Sequence, residues 1–130
     1  QRLRGDREII LLDNGDFLQG DPITYYFNYI NTKVPHIASK AFNFLNYDAV
    51  CIGNHDLEGG KKVFDRVNKE LNNSIICCNI VDKNNKPYFN PYKILNKCNN
   101  KTAVIGMSTP GSSWWIPDGL IEGLFCCKMG

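Results

Sequence analysis

Three carboxylates are crowded around two glycines in the stretch LLDNGDFLQGDP, residues 11–22. Asp13 directly follows an apolar run, and Asp16 and Asp21 each follow a glycine. Like charges held close together repel one another. Such a stretch is typical either of a turn whose carboxylates stay hydrated or of a loop that holds a cation. Because a carboxylate carries several lone pairs on its two oxygens, one aspartate can bridge two cations.

A second stretch, CIGNHDLEGG at residues 51–60, also has an apolar run that ends at a glycine and is followed by polar side chains. The side-chain oxygen of Asn54 is a neutral ligand for a hard or borderline cation. His55 can donate a proton or stabilise charge, and a carboxylate such as Asp56 can fix the tautomer of a histidine and raise its basicity. The two stretches together indicate a site for metal-assisted or acid–base chemistry.

The segments that must position these loops alternate between strands and helices. Short apolar runs predict strands at 7–12, 48–53 and 74–81. Helical spacing of apolar residues predicts helices at 35–46 and 61–71, with a weaker helical pattern over 23–31. Residues 92–110 predict two strands joined around Asn99-Asn100. This alternation predicts a mainly parallel α/β sheet, in which ligands bind outside the carboxyl ends of the strands.

Both polar loops lie at such strand ends. Asn54 follows Asp16 by 38 residues, which is enough for a helix and a strand to return the chain beside itself in a β-α-β crossover. We therefore expect the side-chain oxygens of Asp16 and Asn54 at adjacent strand ends, facing one cleft, with His55 beside them.

Composition excludes several classes of protein. A chain of 130 residues, with 43% hydrophobic and 22% charged residues, is typical of one globular domain. The formal net charge of +2, without any basic run, argues against binding of a nucleic-acid polymer. No apolar run is long enough to span a membrane. The six cysteines form no C-x-x-C pair, so Cys51 and Cys77, inside apolar runs, are expected to be small buried hydrophobic residues.

The motifs and their flanking sequence resemble a known family. DNGDFLQGDP and GNHDLEGG resemble the second and third motifs of the calcineurin-like metallophosphoesterases. The segments PITYYFNYINT, NYDAVCIGNHD, CNIVDKNNKPYFNPYKIL and AVIGMSTP are similar to consecutive parts of the catalytic domain in its 5′-nucleotidase and 2′,3′-cyclic-nucleotide 2′-phosphodiesterase branch. The resemblance implies the α/β fold of that family, a sheet sandwich flanked by helices (α/β/β/α), incomplete in this chain.

The resemblance also implies roles for individual residues. Asp16 would bridge two divalent metal ions, and Asn54 would be a ligand of the second one. His55 would protonate the leaving oxygen or stabilise the transition state, and Asp56 would orient His55. The resemblance leaves the identity of the metals open among Mn, Zn, Fe and Mg, and it assigns no substrate-binding residue.

The chain also departs from the family pattern. The family's first Asp-x-His motif is not found in residues 1–130, and no histidine follows His55. The resemblance also places the family's C-terminal nucleotide-binding domain outside residues 1–130. Residues 1–130 are therefore expected to be a partial catalytic domain that is inactive by itself and binds divalent metal weakly.

Two functions stay open at this point. The first is a metal-dependent phosphoric ester hydrolase of nucleotide catabolism, of the 5′-nucleotidase or 2′,3′-cyclic-nucleotide phosphodiesterase/3′-nucleotidase type, with a nucleotide or cyclic nucleotide as substrate. The second is an inactive, truncated remnant of the fold with at most a binding role. The resemblance suggests a periplasmic, cell-surface or secreted parent protein.

Simpler interpretations exist for each polar residue. Asp16 could lie in a solvated turn, and residues 54–56 could be a plain capping turn before a helix. Asp13 and Gln19 are expected to shape their loop through hydrogen bonds. Asp21 is expected near a helix start, and His36 on a helix surface or at a cap.

Overall fold

A three-stranded parallel sheet carries both polar loops. The computed structural model describes residues 8–72, 74–97 and 99–127. Strands β1 (Leu12–Asp13), β2 (Ala49–Cys51) and β3 (Ile75–Ile76) lie in the order β1-β2-β3. Leu12 pairs with Ala49 and Val50 with Ile75, all in parallel register. The predicted parallel arrangement is confirmed, and the loops that follow β1 and β2 leave the same edge of the sheet.

Helices cover the connections between these strands. Helix α1 (Pro22–Tyr25) continues as a π-helix (Tyr26–Ile30), and α2 (Ile37–Leu45) leads into β2. Two further helices, α3 (Asn54–Glu58) and α4 (Lys61–Glu70), connect β2 to β3. The apolar spacing of α4 buries Val63, Phe64 and Val67 against the sheet, as the sequence predicts.

The remaining strands form two antiparallel pairs. β5 (Tyr92–Lys97) pairs with β6 (Asn100–Ile105), which confirms the predicted hairpin. β4 (Ile80–Val81) pairs with β7 (Phe125–Cys126), and the short helices α5 (Ser112–Trp115) and α6 (Asp118–Ile121) lie between β6 and β7.

Two predicted strands differ from the observed ones. The apolar run 74–81 contains two strands, because the backbone leaves the parallel sheet after β3: the Cys77 N–H donates to the Asn90 carbonyl and the Cys78 N–H to the Gly106 carbonyl. The first strand is shorter than 7–12, since only Leu12–Asp13 pairs with β2, and residue 7 lies outside the described residues. An apolar run predicts burial more reliably than it predicts ladder hydrogen bonds.

The core lies between the parallel sheet and helices α3 and α4. Ile52, Phe64 and Ile75 are fully buried there, and Cys51 and Cys77 are buried as predicted. Over residues 8–72, 74–97 and 99–127, no helix is long and apolar enough to cross a membrane.

Candidate active site

The two polar loops pack backbone against backbone at a pair of glycines. A Cβ on Gly15 would lie 2.3 Å from the backbone nitrogen of Gly53, and a Cβ on Gly53 would lie 2.6 Å from the backbone nitrogen of Asp16. Real side chains do not tolerate such distances, so both positions require glycine. Gly15 also has φ +95°, a left-handed conformation that favours glycine. The two loops are therefore in contact through their backbones at Gly15 and Gly53.

A buried carboxylate holds the loops together. The two side-chain oxygens of Asp56 accept hydrogen bonds from the backbone N–H groups of Gly53, Asp16, Phe17 and Leu18, at 2.7–2.8 Å. Asp56 is the third residue of α3, where a carboxylate commonly caps the N–H of the residue before the helix. Burial raises the pKa of the Asp56 carboxyl to about 6, while the four N–H donors act in the opposite direction. Asp56 thus fixes the loop of residues 16–18 against the start of α3.

This arrangement presents the carboxylate of Asp16 to solvent, next to α3. Asp16 is exposed and has φ +65°, and its Oδ1 accepts the backbone N–H of His55 at 3.0 Å. Asn54, the residue before His55, is half-buried at the first position of α3. The predicted meeting of the Asp16 loop with the Asn54–His55 loop at adjacent strand ends is therefore present in the structure.

The partner of His55 differs from the predicted one. His55 Nδ1 lies 2.9 Å from Glu58 Oε1, one helical turn later, and both side chains are partly exposed. Asp56 points the other way and is fully buried among backbone amides, as described above. Residues three apart on a helix share a face, whereas neighbouring residues do not, so Glu58 rather than Asp56 meets the imidazole.

Glu58 also ties the helix to the first loop. Its second oxygen, Oε2, accepts a hydrogen bond from Gln19 Nε2 at 2.5 Å. Glu58 was not predicted as a site residue, although its i,i+3 spacing from His55 is the signal in the sequence that points to it. Its carboxylate holds His55 on one side and the Gln19 loop on the other.

The simpler roles assigned to the surrounding residues are confirmed. Asp13 accepts the Gly15 N–H at 2.9 Å and so shapes the first loop. Asp21 is the N-cap of α1 and accepts the N–H groups of Ile23 and Thr24.

His36 caps α2 by accepting the Ala38 N–H on Nδ1, but it is fully buried and does not lie on a helix surface. Because Nδ1 is an acceptor, Nε2 carries the proton and donates to Asn28 Oδ1 at 3.0 Å. Asn28 Nδ2 in turn donates to the Leu18 carbonyl at 2.8 Å. Burial lowers the pKa of His36, which agrees with a neutral ring in this network.

The available donor atoms match part of a divalent cation's shell. Asp16 offers an exposed carboxylate and Asn54 an amide oxygen, which are ligands that divalent cations such as Mg²⁺ and Mn²⁺ accept. Within the described ranges, no group of three or more His, Cys, Asp or Glu side chains is placed to hold a metal ion. These residues can therefore supply two ligands and not a complete site.

Comparisons with known proteins identify relatives of this chain. A snake venom 5′-nucleotidase of Crotalus adamanteus is 36% identical over 109 residues, which is 79% of this chain and 18% of the relative. A 2′,3′-cyclic-nucleotide 2′-phosphodiesterase/3′-nucleotidase of Yersinia enterocolitica is 36% identical over 93 residues, which is 67% of this chain and 14% of the relative. The chain thus spans less than a quarter of the length of these relatives.

The fold matches as well. The crystal structure of the calcineurin-like phosphoesterase YfkN from Bacillus subtilis superposes with a TM-score of 0.74 and 26% identity, over 90% of this chain and 40% of that one. No family model matches the sequence. The likeness in fold confirms the predicted α/β class, and the sequence likeness confirms the resemblance. Its sequence is similar to part of the 5′-nucleotidases and to part of the 2′,3′-cyclic-nucleotide 2′-phosphodiesterase/3′-nucleotidases. The chain therefore belongs to the calcineurin-like phosphoesterases.

Proposed function

We propose that this chain contributes part of the active site of a metal-dependent hydrolase that cleaves phosphoric esters of nucleotides. The observation that carries the proposal is the junction of the two loops, where the Asp16 carboxylate accepts the His55 N–H and lies against Gly53. Relatives named as nucleotidases, and as a cyclic-nucleotide phosphodiesterase, support nucleotides as the substrate class.

In this proposal, Asp16 and Asn54 are metal ligands, and the remaining ligands come from residues outside this segment. When bound, a pair of divalent cations would activate a water molecule and neutralise charge on the phosphoryl group. The Oδ1 of Asp16 accepts the His55 N–H, which keeps the carboxylate turned toward α3.

His55 is the proposed proton donor to the leaving oxygen. Its ring is half-exposed, and Glu58 lies on Nδ1, so Nε2 is the nitrogen that remains available to a substrate. A carboxylate on Nδ1 holds the ring orientation and stabilises the protonated imidazole. Glu58 therefore takes the orienting role that the family resemblance implies for Asp56, and Asp56 positions both loops instead.

The test separates metal binding from proton transfer in the protein that carries this segment. His55→Ala should lower the turnover of AMP and of 2′,3′-cyclic AMP by about 10²- to 10⁴-fold, with the metal content retained. Asp16→Ala should lose metal and activity together, while Asp118→Ala, in α6, serves as a carboxylate control. Equal metal loss in the His55 and Asp16 variants would contradict the role given to His55.

A second experiment addresses the remnant alternative. Residues 1–130 alone should bind Mn²⁺ or Zn²⁺ weakly and hydrolyse nucleotides at no measurable rate, because two ligands leave the cations hydrated and mobile. Metal-dependent turnover by this chain, abolished by Asp16→Ala, would show that the site is completed in another way, such as self-association. Absence of activity in the longer protein as well would favour the remnant.

The relatives also suggest a compartment. One of them is a venom enzyme, and we propose an extracytoplasmic parent protein of the periplasmic, cell-surface or secreted kind. Fractionation of cells that express the natural gene, with immunodetection of the protein, tests this assignment.

A further inference from the structure

A buried hydrogen-bond network runs from the start of α2 to the first loop of the candidate site, and Asn28 lies at its centre. Asn28, in the π-helix, is 6% exposed, and His36 is fully buried. Nδ2 of Asn28 donates to the Leu18 carbonyl at 2.8 Å, and Oδ1 lies 3.0 Å from His36 Nε2. Both ends of the Asn28 amide are therefore bonded inside the protein.

His36 determines which way the Asn28 amide points. Because His36 Nδ1 accepts the Ala38 N–H at 3.1 Å, the proton of the neutral ring lies on Nε2, which donates to Asn28 Oδ1. The opposite amide orientation would place two donors against each other at His36 and two acceptors against each other at Leu18. His36 is itself held by Glu70, whose Oε2 accepts the His36 backbone N–H at 2.8 Å. The donor of Asn28 is thus directed at the Leu18 carbonyl.

Leu18 is fixed on both sides of its α-carbon. Its N–H donates to Asp56 Oδ1 at 2.7 Å, and its carbonyl accepts the hydrogen bond from Asn28. Because the peptide bond is planar, fixing the Leu18 carbonyl also fixes the backbone nitrogen of Gln19. The Asn28 bond therefore sets the direction in which the chain continues into Gln19.

Gln19 connects this fixed backbone to the proposed proton donor. Glu58 Oε2 accepts the Gln19 side-chain N–H at 2.5 Å, and Glu58 Oε1 lies 2.9 Å from His55 Nδ1. The side chains of Glu58 and His55 are partly exposed, so water competes for their polar atoms. The bond from Gln19 keeps the Glu58 carboxylate from rotating away from the imidazole.

We infer that Asn28 is a positioning residue for the proton donor: by holding the Leu18 carbonyl, it keeps Gln19 on Glu58 and Glu58 on His55. The inference rests on the proposed function, in which His55 protonates the leaving oxygen. The loop that carries Asp16 has a separate support, because Asp56 Oδ2 accepts the Asp16 N–H at 2.8 Å. Loss of the Asn28 amide should therefore affect proton transfer and spare metal binding.

The test substitutes Asn28 in the longer protein that carries this segment. Asn28→Asp keeps an acceptor for His36 but replaces the donor to the Leu18 carbonyl by an oxygen. AMP requires a proton on its leaving oxygen, whereas p-nitrophenyl phosphate releases a stable anion. The kcat for AMP should fall about 10- to 100-fold, the range found when a hydrogen-bond partner behind a site residue is lost. The kcat for p-nitrophenyl phosphate and the metal content should change little. Asn28→Leu, which removes the donor without adding a charge, should show the same difference between the two esters.

Asn79→Asp is the matched control for loss of a buried amide donor. Asn79 is fully buried, and its Nδ2 donates to the carbonyls of Ser108 and Cys127, which lie outside the two loops. Any loss of kcat in Asn79→Asp should be equal for the two esters. His36→Leu removes the donor that orients Asn28 and should behave like Asn28→Asp, while His36→Gln retains an N–H donor and should keep much of the activity on AMP.

A spectroscopic measurement requires neither metal nor hydrolysis. With the Glu58 carboxylate on Nδ1, neutral His55 carries its proton on that nitrogen, which nitrogen NMR of the metal-free, histidine-labelled protein detects. Asn28→Asp should shift His55 toward a mixture of both tautomers, and Asn79→Asp should not.

Equal losses on the two esters, equal effects of Asn28→Asp and Asn79→Asp, or an unchanged tautomer in Asn28→Asp would overturn the inference. If the unsubstituted longer protein does not hydrolyse AMP, the proposed function fails, and the tautomer of His55 alone decides whether Asn28 positions the ring.

Discussion

Four glycine-to-alanine substitutions can separate steric crowding from backbone strain at the loop junction. Gly15 has both features: a positive φ of +95°, and a Cβ position 2.3 Å from the Gly53 nitrogen. Gly53 has the crowding alone, since its Cβ would lie 2.1 Å from Asp16 Oδ1 and its φ is −87°. Gly20 has a positive φ of +113° with nothing within 4 Å, and Gly119 has neither feature.

The expected losses in the free energy of unfolding follow from these two features. Crowding of a well-packed region costs about 1–3 kcal/mol, and a left-handed conformation costs a residue with a Cβ about 1–2 kcal/mol. Gly20→Ala should therefore lose about 1–2 kcal/mol, Gly53→Ala about 1–3 kcal/mol, and Gly15→Ala about 2–5 kcal/mol. Gly119→Ala should be neutral or stabilising by up to about 1 kcal/mol, because alanine favours the helix.

Thermal and urea unfolding of the four variants measure these differences. For a chain of this size, each kcal/mol corresponds to about 3–6 °C in Tm. Gly15→Ala should thus unfold roughly 6–30 °C below the unsubstituted protein, with Gly20→Ala and Gly53→Ala in between. If Gly15→Ala and Gly53→Ala unfold at the temperature of Gly119→Ala, the two loops do not touch as described, and the candidate site loses its geometric basis.

Three further outcomes are expected. Because burial lowers the pKa of His36, the unfolded chain binds a proton below pH 6.5 that the folded chain does not. The contribution of neutral His36 to the free energy of unfolding is therefore complete above pH 6.5 and declines as the pH falls toward the lowered pKa. Between pH 7.5 and 5, Tm should fall less steeply in His36→Gln than in the control His55→Gln. Asp56→Asn should lower Tm more than any of the glycine variants except Gly15→Ala, because an amide nitrogen would face N–H donors, and differential scanning calorimetry measures this. Residues 1–130 should self-associate through the exposed apolar surface of the β5–β6 hairpin, and Ile105→Lys should shift sedimentation toward the monomer.

The meeting of the two loops could be predicted from the sequence because it depends on local patterns. Apolar runs that end in glycine mark strand ends, and parallel pairing brings these ends to one edge of the sheet. The spacing of Val63, Phe64 and Val67 on α4 predicts the buried face of that helix in the same way. Both the meeting of the loops and the buried face of α4 can be inferred from such patterns without knowing which residues far apart in the sequence are in contact.

The roles of Asp56 and Glu58 could not be predicted so directly, because they depend on how far each carboxylate is buried. Both follow His55 closely, and both could hydrogen-bond a ring nitrogen. Only the docking of the loop 16–18 onto α3 places Asp56 among four N–H donors, and only the helical turn from His55 places Glu58 beside the ring.

The carboxylates of Asp56 and Glu58 have different roles, and together they explain how the short helix α3 can position the residues of the site. Asp56 accepts two N–H groups on each oxygen, so the loop that carries Asp16 is wrapped around a side chain of α3. The first turn of α3 thus holds Asp16 beside His55, once the pairing of β1 with β2 has brought the two loops together. Glu58 lies on the opposite, partly exposed face, where its interaction with His55 can respond to a substrate. The buried Asp56 fixes the first loop against α3, and the partly exposed Glu58 orients the proposed proton donor. These two acidic residues lie two positions apart on the helix, as they do in the sequence NHDLE.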